Sequence, residues 1–88
     1  MKLKYEFMMN AVGDKIVAMP IGEDTEKFGG FIKLDSVGGY IFKMLGEDVT
    51  EDDIVISMAH DFPEETEAEI RRVVTSFIKK LKKDDLII

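Results

Sequence analysis

The chain has 88 residues, with 12 lysines and arginines against 18 acidic residues and a formal charge of −6 at pH 7. That length gives room for one modest core, and that charge sets the molecule against polyanions such as nucleic acid. Cysteine is absent, which excludes disulfides, thiol nucleophiles and thiolate metal sites together. No apolar run approaches the roughly 18 residues of a membrane span, and Met1 to Met9 alternates in polarity where a signal segment would be continuously apolar. The expectation is one soluble domain over residues 1–88, in the cytoplasm, with neither a membrane nor nucleic acid as partner.

From Lys2 to Met9, Leu3, Tyr5, Phe7 and Met9 alternate with Lys2, Lys4, Glu6 and Met8, the period of two that predicts a half-buried strand. Asn10 to Asp14 reads as a turn around Gly13, and Lys15 to Met19 as a second strand ended by Pro20, which cannot donate to a ladder. Gly22 to Lys27 is polar and reads as a loop. Gly29 and Gly30 then introduce a third strand, Phe31 to Leu34, with Ile32 and Leu34 on one face and Phe31 and Lys33 on the other. No fourth strand is predicted, so one edge of the sheet is spare.

Asp35 is placed to cap a first helix through Leu45, carrying Val37, Ile41, Met44 and Leu45 on one face and ended by Gly46. Gly38 and Gly39 inside it cost about 1 kcal/mol each relative to alanine, which points to close packing against a neighbour. Thr50 to Asp53 forms a capping box with Val49 as its staple, opening a second helix that carries Ile54, Val55 and Met58 and ends near Asp61.

The last helix, Glu64 to Lys83, is the longest periodic run. Acids concentrate between Glu47 and Glu69, where there is no lysine or arginine, whereas Ile70 to Lys83 holds Arg71, Arg72, Lys79, Lys80, Lys82 and Lys83 and no acid. The helix macrodipole accounts for acids at the start and lysines at the end, but not for the early Arg71 and Arg72. At 100° per residue, Ile70, Val73, Phe77 and Leu81 form the centre of the predicted buried face. Val74 and Ile78 fall toward an edge beside Arg71, Thr75 and Lys82, an apolar and basic wall. The whole predicts an α+β, winged-helix-like domain: a three-stranded antiparallel sheet followed by three helices, in β-β-β-α-α-α order.

Three segments in this order and spacing resemble the PqqD-like family: Phe31-Ile-Lys-Leu-Asp-Ser-Val-Gly-Gly-Tyr-Ile-Phe42, Val49-Thr-Glu-Asp-Asp-Ile54, and Phe77-Ile-Lys-Lys-Leu81 followed by Leu86-Ile87. One departure is Asp85, where the family commonly has glycine; aspartate enters the left-handed conformation more readily than most residues. The resemblance implies a non-catalytic module that recognises the leader of a ribosomally made precursor peptide and presents it to a modifying enzyme, often a radical S-adenosylmethionine enzyme. It also implies that the leader adds as a strand to the third strand and lies over the last helix. Phe31, Ile32, Lys33 and Leu34 would then offer the edge, and Arg71, Val74, Thr75, Ile78 and Lys82 the wall, with an acidic leader preferred.

The residues give little basis for other chemistry, and no catalytic residue, metal ligand or cofactor is assigned. His60 is the sole histidine and stands near a helix end. Asp52 with Asp53, and Glu64 with Glu65, are neighbours that diverge on a helix and form no converging acid–base pair. Asp48 to Asp53 lacks the spacing and central glycine of a calcium loop, and Gly29-Gly30 lacks the lysine and following helix of a phosphate loop. The alternative is a winged-helix nucleic-acid binder, with Arg71, Arg72, Lys79 and Lys80 on phosphate and the hairpin as wing; the acidity of the chain opposes it. The spare edge also allows weak homodimerisation by strand pairing.

Overall fold

A computed structural model describes residues Met1–Ile88. Strands β1 (Phe7–Val12) and β2 (Lys15–Pro20) form a hairpin, followed by a short helix α1 (Asp24–Phe28) and strand β3 (Ile32–Leu34). Three helices complete the chain: α2 (Ser36–Met44), α3 (Glu51–Asp61) and α4 (Glu67–Lys83). The sheet is antiparallel in the order β1-β2-β3, so the α+β architecture of three strands and three following helices holds, with one short helix inserted.

Both boundaries of the first predicted strand shift; by one residue each, Pro20 joins the second strand and the third begins at Ile32. The first strand starts at Phe7, not Lys2, and runs on to Val12, which leaves only Gly13 and Asp14 in the turn. Gly13 takes φ +63° there, as a tight hairpin loop requires. The alternating residues before Phe7 pair elsewhere. Leu3 bridges to Ile87, with Lys2 and Ile88 exchanging backbone bonds of 3.0 and 2.9 Å. A strand-like pattern in a sequence fixes which side chains turn inward, and says nothing of which backbone they pair with.

The segment read as a loop at Gly22 to Lys27 contains α1. Asp24 and Glu26 lie in its first turn and Lys27 in its last, each sign matching the helix dipole. Gly29, at φ +66°, closes it by donating to the Thr25 carbonyl. The helix is held by Phe28, whose ring meets Phe7 edge-on at 5.4 Å and Tyr5 at 5.9 Å, while Phe7 meets Phe42 at 5.0 Å. Aromatic packing thus compensates for a helix too short to be stable by itself.

The caps predicted for the next two helices form. Asp35 Oδ1 accepts from the Gly38 amide at 2.7 Å. Thr50 Oγ1 accepts from the Asp53 amide at 3.0 Å and Asp53 Oδ2 from the Thr50 amide at 2.9 Å, a complete capping box. Helix α4 begins at Glu67, three residues later than the acidic run implies, because Thr66 caps it by accepting from the Glu69 amide. At its other end the Leu86 amide donates to the Leu81 carbonyl at 2.9 Å and the Asp85 amide to Lys82 at 3.1 Å, a Schellman arrangement. Asp85 sits at φ +58°, so aspartate does occupy the left-handed position that glycine fills most easily.

Helix α4 is rotated relative to the predicted stripe. Ile70, Val74, Ile78 and Leu81 are the buried residues, with Val74 at 0% and Ile78 at 3% exposure, whereas Val73 is 41% exposed and Phe77 half-buried. With α4 in place, Ile54, Val55 and Met58 of α3 and Ile41, Phe42 and Leu45 from α2 and its end complete the core. Ile78→Ala is therefore expected to lower unfolding stability by about 2–5 kcal/mol, and Phe77→Ala by clearly less. Urea denaturation of the two variants checks this; equal losses would contradict the rotation.

Candidate functional site

Strand β3 pairs on one side only. Ile16, Val17 and Ala18 of β2 stand opposite Leu34, Lys33 and Ile32, and no other backbone bond reaches the outer edge of Phe31 to Leu34. The alternation is as the sequence predicts: Leu34 is buried, Ile32 half-buried and Lys33 exposed, while Phe31 is 57% exposed. A row of free backbone donors and acceptors therefore borders an apolar side chain.

What lies beside that edge is decided by two glycines. A Cβ on Gly38 would stand 3.1 Å from Phe77 Cε1 and 3.5 Å from Leu34 Cδ2, and one on Gly39 would collide with Ile16 Cδ1. Both positions are buried in α2. The helix thus accepts two weak helix formers so that it can approach β2 on one side and the Phe77 ring on the other. This close approach puts the Phe77 ring of α4 and the side chain of Leu34, the last residue of β3, at one junction.

The resulting groove consists of two depressions that share Val37 and Val73. One, of about 510 Å³, is bordered by Asp35, Gly38, Ser76, Phe77 and Lys80; the other, of about 260 Å³, by Met58, Phe62, Glu65, Glu69 and Ile70. The site therefore uses the Val73 and Phe77 flank of α4. Of the helix residues expected at the wall, Val74 and Ile78 are in the core. Arg71 turns to α3, donating to Asp52 Oδ1 at 2.9 Å with Glu67 at 4.0 Å. Thr75 and Lys82 follow Arg71 on the same flank at 100° per residue. The structure places Leu34, at the end of β3, and Phe77 of α4 against the same glycine, Gly38.

The arginines are occupied in a way that bears on nucleic acid. Arg72 donates to Glu69 Oε2 at 2.6 Å and Arg71 to Asp52, so both early cations are neutralised by acids of the same protein. A phosphate backbone would have to displace these partners.

His60 is 89% exposed and its Nδ1 lies 3.2 Å from Asp61 Oδ1. The other carboxylate oxygen accepts from the Tyr40 hydroxyl at 2.6 Å, and Tyr40 is also 2.6 Å from Ser57 Oγ. This cluster ties α2 to α3; its serine is bonded to tyrosine, not to histidine. The Tyr40 hydrogen bond, followed by that of His60, holds the Asp61 carboxyl below the usual carboxylate range. Partial burial, then Asp61, pushes the Tyr40 phenol up.

The chain is a small α+β domain with one open strand edge and a partly apolar flank on its last helix. The sequence matches the family model of PqqD, coenzyme PQQ synthesis protein D, over residues 7–87, and the chain belongs to that family. The match begins at the first residue of β1. A solved structure, TbiB1 in complex with the TbiA(beta) leader peptide, shares the fold with a TM-score of 0.72 at 21% identity, covering 98% of this chain and 93% of that one. No curated protein sequence matches significantly.

Because the neutral phenol of Tyr40 is favoured in the folded state, its stabilisation is complete below the ordinary tyrosine pKa of 10.0 and lost as pH rises through the raised value. Tyr40→Phe should cost about 0.5–1.5 kcal/mol at neutral pH, a deficit that closes above pH 10. Unfolding measured against pH, with a phenolate absorbance titration of both proteins, checks this; a Tyr40 midpoint below 10 would contradict it.

Proposed function

We propose that this protein is a non-catalytic recognition module that binds the leader of a ribosomally made precursor peptide as a fourth strand on β3 and presents it to a modifying enzyme in the cytoplasm. The observation that carries this reading is the unpaired outer edge of β3, whose last residue, Leu34, meets Phe77 of α4 at Gly38. Family membership supports it, as does the likeness of fold to a protein solved with a leader peptide.

The physics is that of strand addition. Each new backbone hydrogen bond contributes about 0.5–1.5 kcal/mol net, which supplies register and affinity with little regard for sequence. Side chains on alternate positions of the peptide then enter the groove or face water, and those that enter choose the ligand. Val37, Val73 and Phe77 reward apolar residues by removing their surface from water. The modifying enzyme, in this reading of the radical S-adenosylmethionine type, performs the chemistry; this chain supplies proximity. In the free protein the same edge allows weak pairing with a second copy, which bound peptide would displace.

Val73→Asp is the informative variant. At 41% exposure the site tolerates a carboxylate without unfolding, yet the charge lies where leader side chains would be desolvated. Titration of the isotope-labelled protein with a precursor peptide should move the amides of Phe31 to Leu34 and of the Val73 to Lys80 flank. Val73→Asp should weaken binding at least about tenfold at any salt concentration. Ile78→Asp, in contrast, unfolds the domain and says nothing about the groove. Shifts that miss both elements, or that duplex DNA produces and the peptide does not, would overturn the proposal in favour of the winged-helix alternative.

A further inference from the structure

Six phenylalanines and two tyrosines are the aromatic residues of this chain, and all but one lie in the core or pack against it. The exception is Phe31, 57% exposed at the head of β3. Its register gives that exposure a context. Met8 of β1 stands opposite Met19 of β2, and Ala18 opposite Ile32 of β3, so one step beyond the last pair Met19 aligns with Phe31. Ala18 is buried, and Phe7, Met9 and Ile32 pack against the core; by alternation Met8, Met19 and Phe31 share the opposite face. Met8 is 52% and Met19 46% exposed. An uncovered apolar row therefore crosses the sheet and ends on Phe31 at the open edge. The next row, Asn10, Val17 and Lys33, ends there on a charge, and beyond it Asp35 turns to cap α2. Along the edge, the outer face is apolar at Phe31 alone.

Resting on the leader-binding reading, we propose that the added strand is read on both faces, and that the residue standing beside Phe31 on the outer face is a large apolar one. Any strand paired along Phe31 to Leu34 places one side chain there, because laterally paired residues share a face with Cβ atoms about 4.5–5.5 Å apart. That side chain and Phe31 then cover each other, removing apolar surface of both from water. Met19, behind them in the row, has an unbranched thioether that adjusts to side chains of different shape. The pattern demanded of the peptide departs from simple alternation. Its groove-facing residues are every second one, and the neighbour of Phe31 falls between two of them, so an apolar residue interrupts the polar face at a single position. This fixes the register, which backbone bonds alone leave free to slip.

The test uses a synthetic peptide that alternates leucine with threonine, and derivatives in which each threonine in turn is replaced by phenylalanine. Binding to the full chain is followed by the amide shifts of Phe31 to Leu34. One derivative should bind about threefold to tenfold more tightly than the parent peptide. Phe31→Thr should reduce that gain to less than about twofold, while Phe31→Leu keeps most of it. Phe31 packs on no core residue, so neither variant threatens the fold. A gain that survives Phe31→Thr undiminished belongs to the groove and overturns this inference while leaving strand addition standing, as does a series with no gain at all. Concentration-dependent shifts of Met8, Met19 and Phe31 in the free protein, the mark of a second copy seated on this face, also overturn it. If no peptide moves the β3 amides, the leader-binding reading fails and this inference with it.

Discussion

The close approach of α2 to its neighbours is the constraint on which the site depends. Gly38 and Gly39 let the helix lie against Ile16 of β2 and against the ring of Phe77, with Leu34 at the same junction. A larger residue at either position would push α2 outward, and with it the contact that brings α4 to the end of β3. The helix loses intrinsic stability through two glycines, of the order of 1 kcal/mol each. Its N-cap at Asp35 and the complete burial of Ile41, Phe42 and Leu45 offset that loss. Local propensity is sacrificed here for geometry, and the geometry is that of the groove.

An exposed strand edge is ordinarily a hazard, since it can pair with any other free edge. This one is managed by being short, three residues long, and by carrying Lys33 at its centre, whose charge must be kept in water. Those features leave the edge available without making it sticky. In the proposed mode of binding, the affinity for an extended chain comes from the neighbouring surface, to which the half-buried Phe77 and partly exposed Val73 contribute. The Arg71–Asp52 pair and the Tyr40–Asp61 bond contribute indirectly, by fixing α3 against its neighbouring helices.

Much of this was legible in the residues because local rules have local signatures. Asp35, Thr50 and Asp53 announce helix starts, Pro20 ends a strand, and the alternation of Phe31 to Leu34 assigns its faces correctly. The rotation of α4 was not legible, for a definite reason. Ile70, Val73, Phe77 and Leu81 span an arc of a helical wheel as wide as that of Ile70, Val74, Ile78 and Leu81 but turned from it by roughly 60° at 100° per residue, so periodicity alone cannot choose between the two stripes. Two signals break the tie, and both are tertiary: Arg71 finds Asp52 at the start of α3, and Phe77 finds the space left by Gly38. The pairing of Leu3 with Ile87 was hidden similarly, because alternation does not identify a strand's partner. Helix α1 was obscured by polar composition; only the contact of Phe28 with Phe7 and Tyr5 makes so short a helix persist.

Amide hydrogen exchange of β3 with and without a bound precursor peptide tests the central claim most directly, because strand addition has a periodic signature that side-chain docking lacks. In the free protein, amides of Phe31 to Leu34 that point away from β2 should exchange rapidly, and those that point toward it slowly. Addition of a fourth strand predicts that peptide binding slows the outward amides selectively, with the period of two imposed by the ladder. Uniform protection across the strand, or protection confined to α4 with the outward amides of β3 still exchanging freely, would contradict the account.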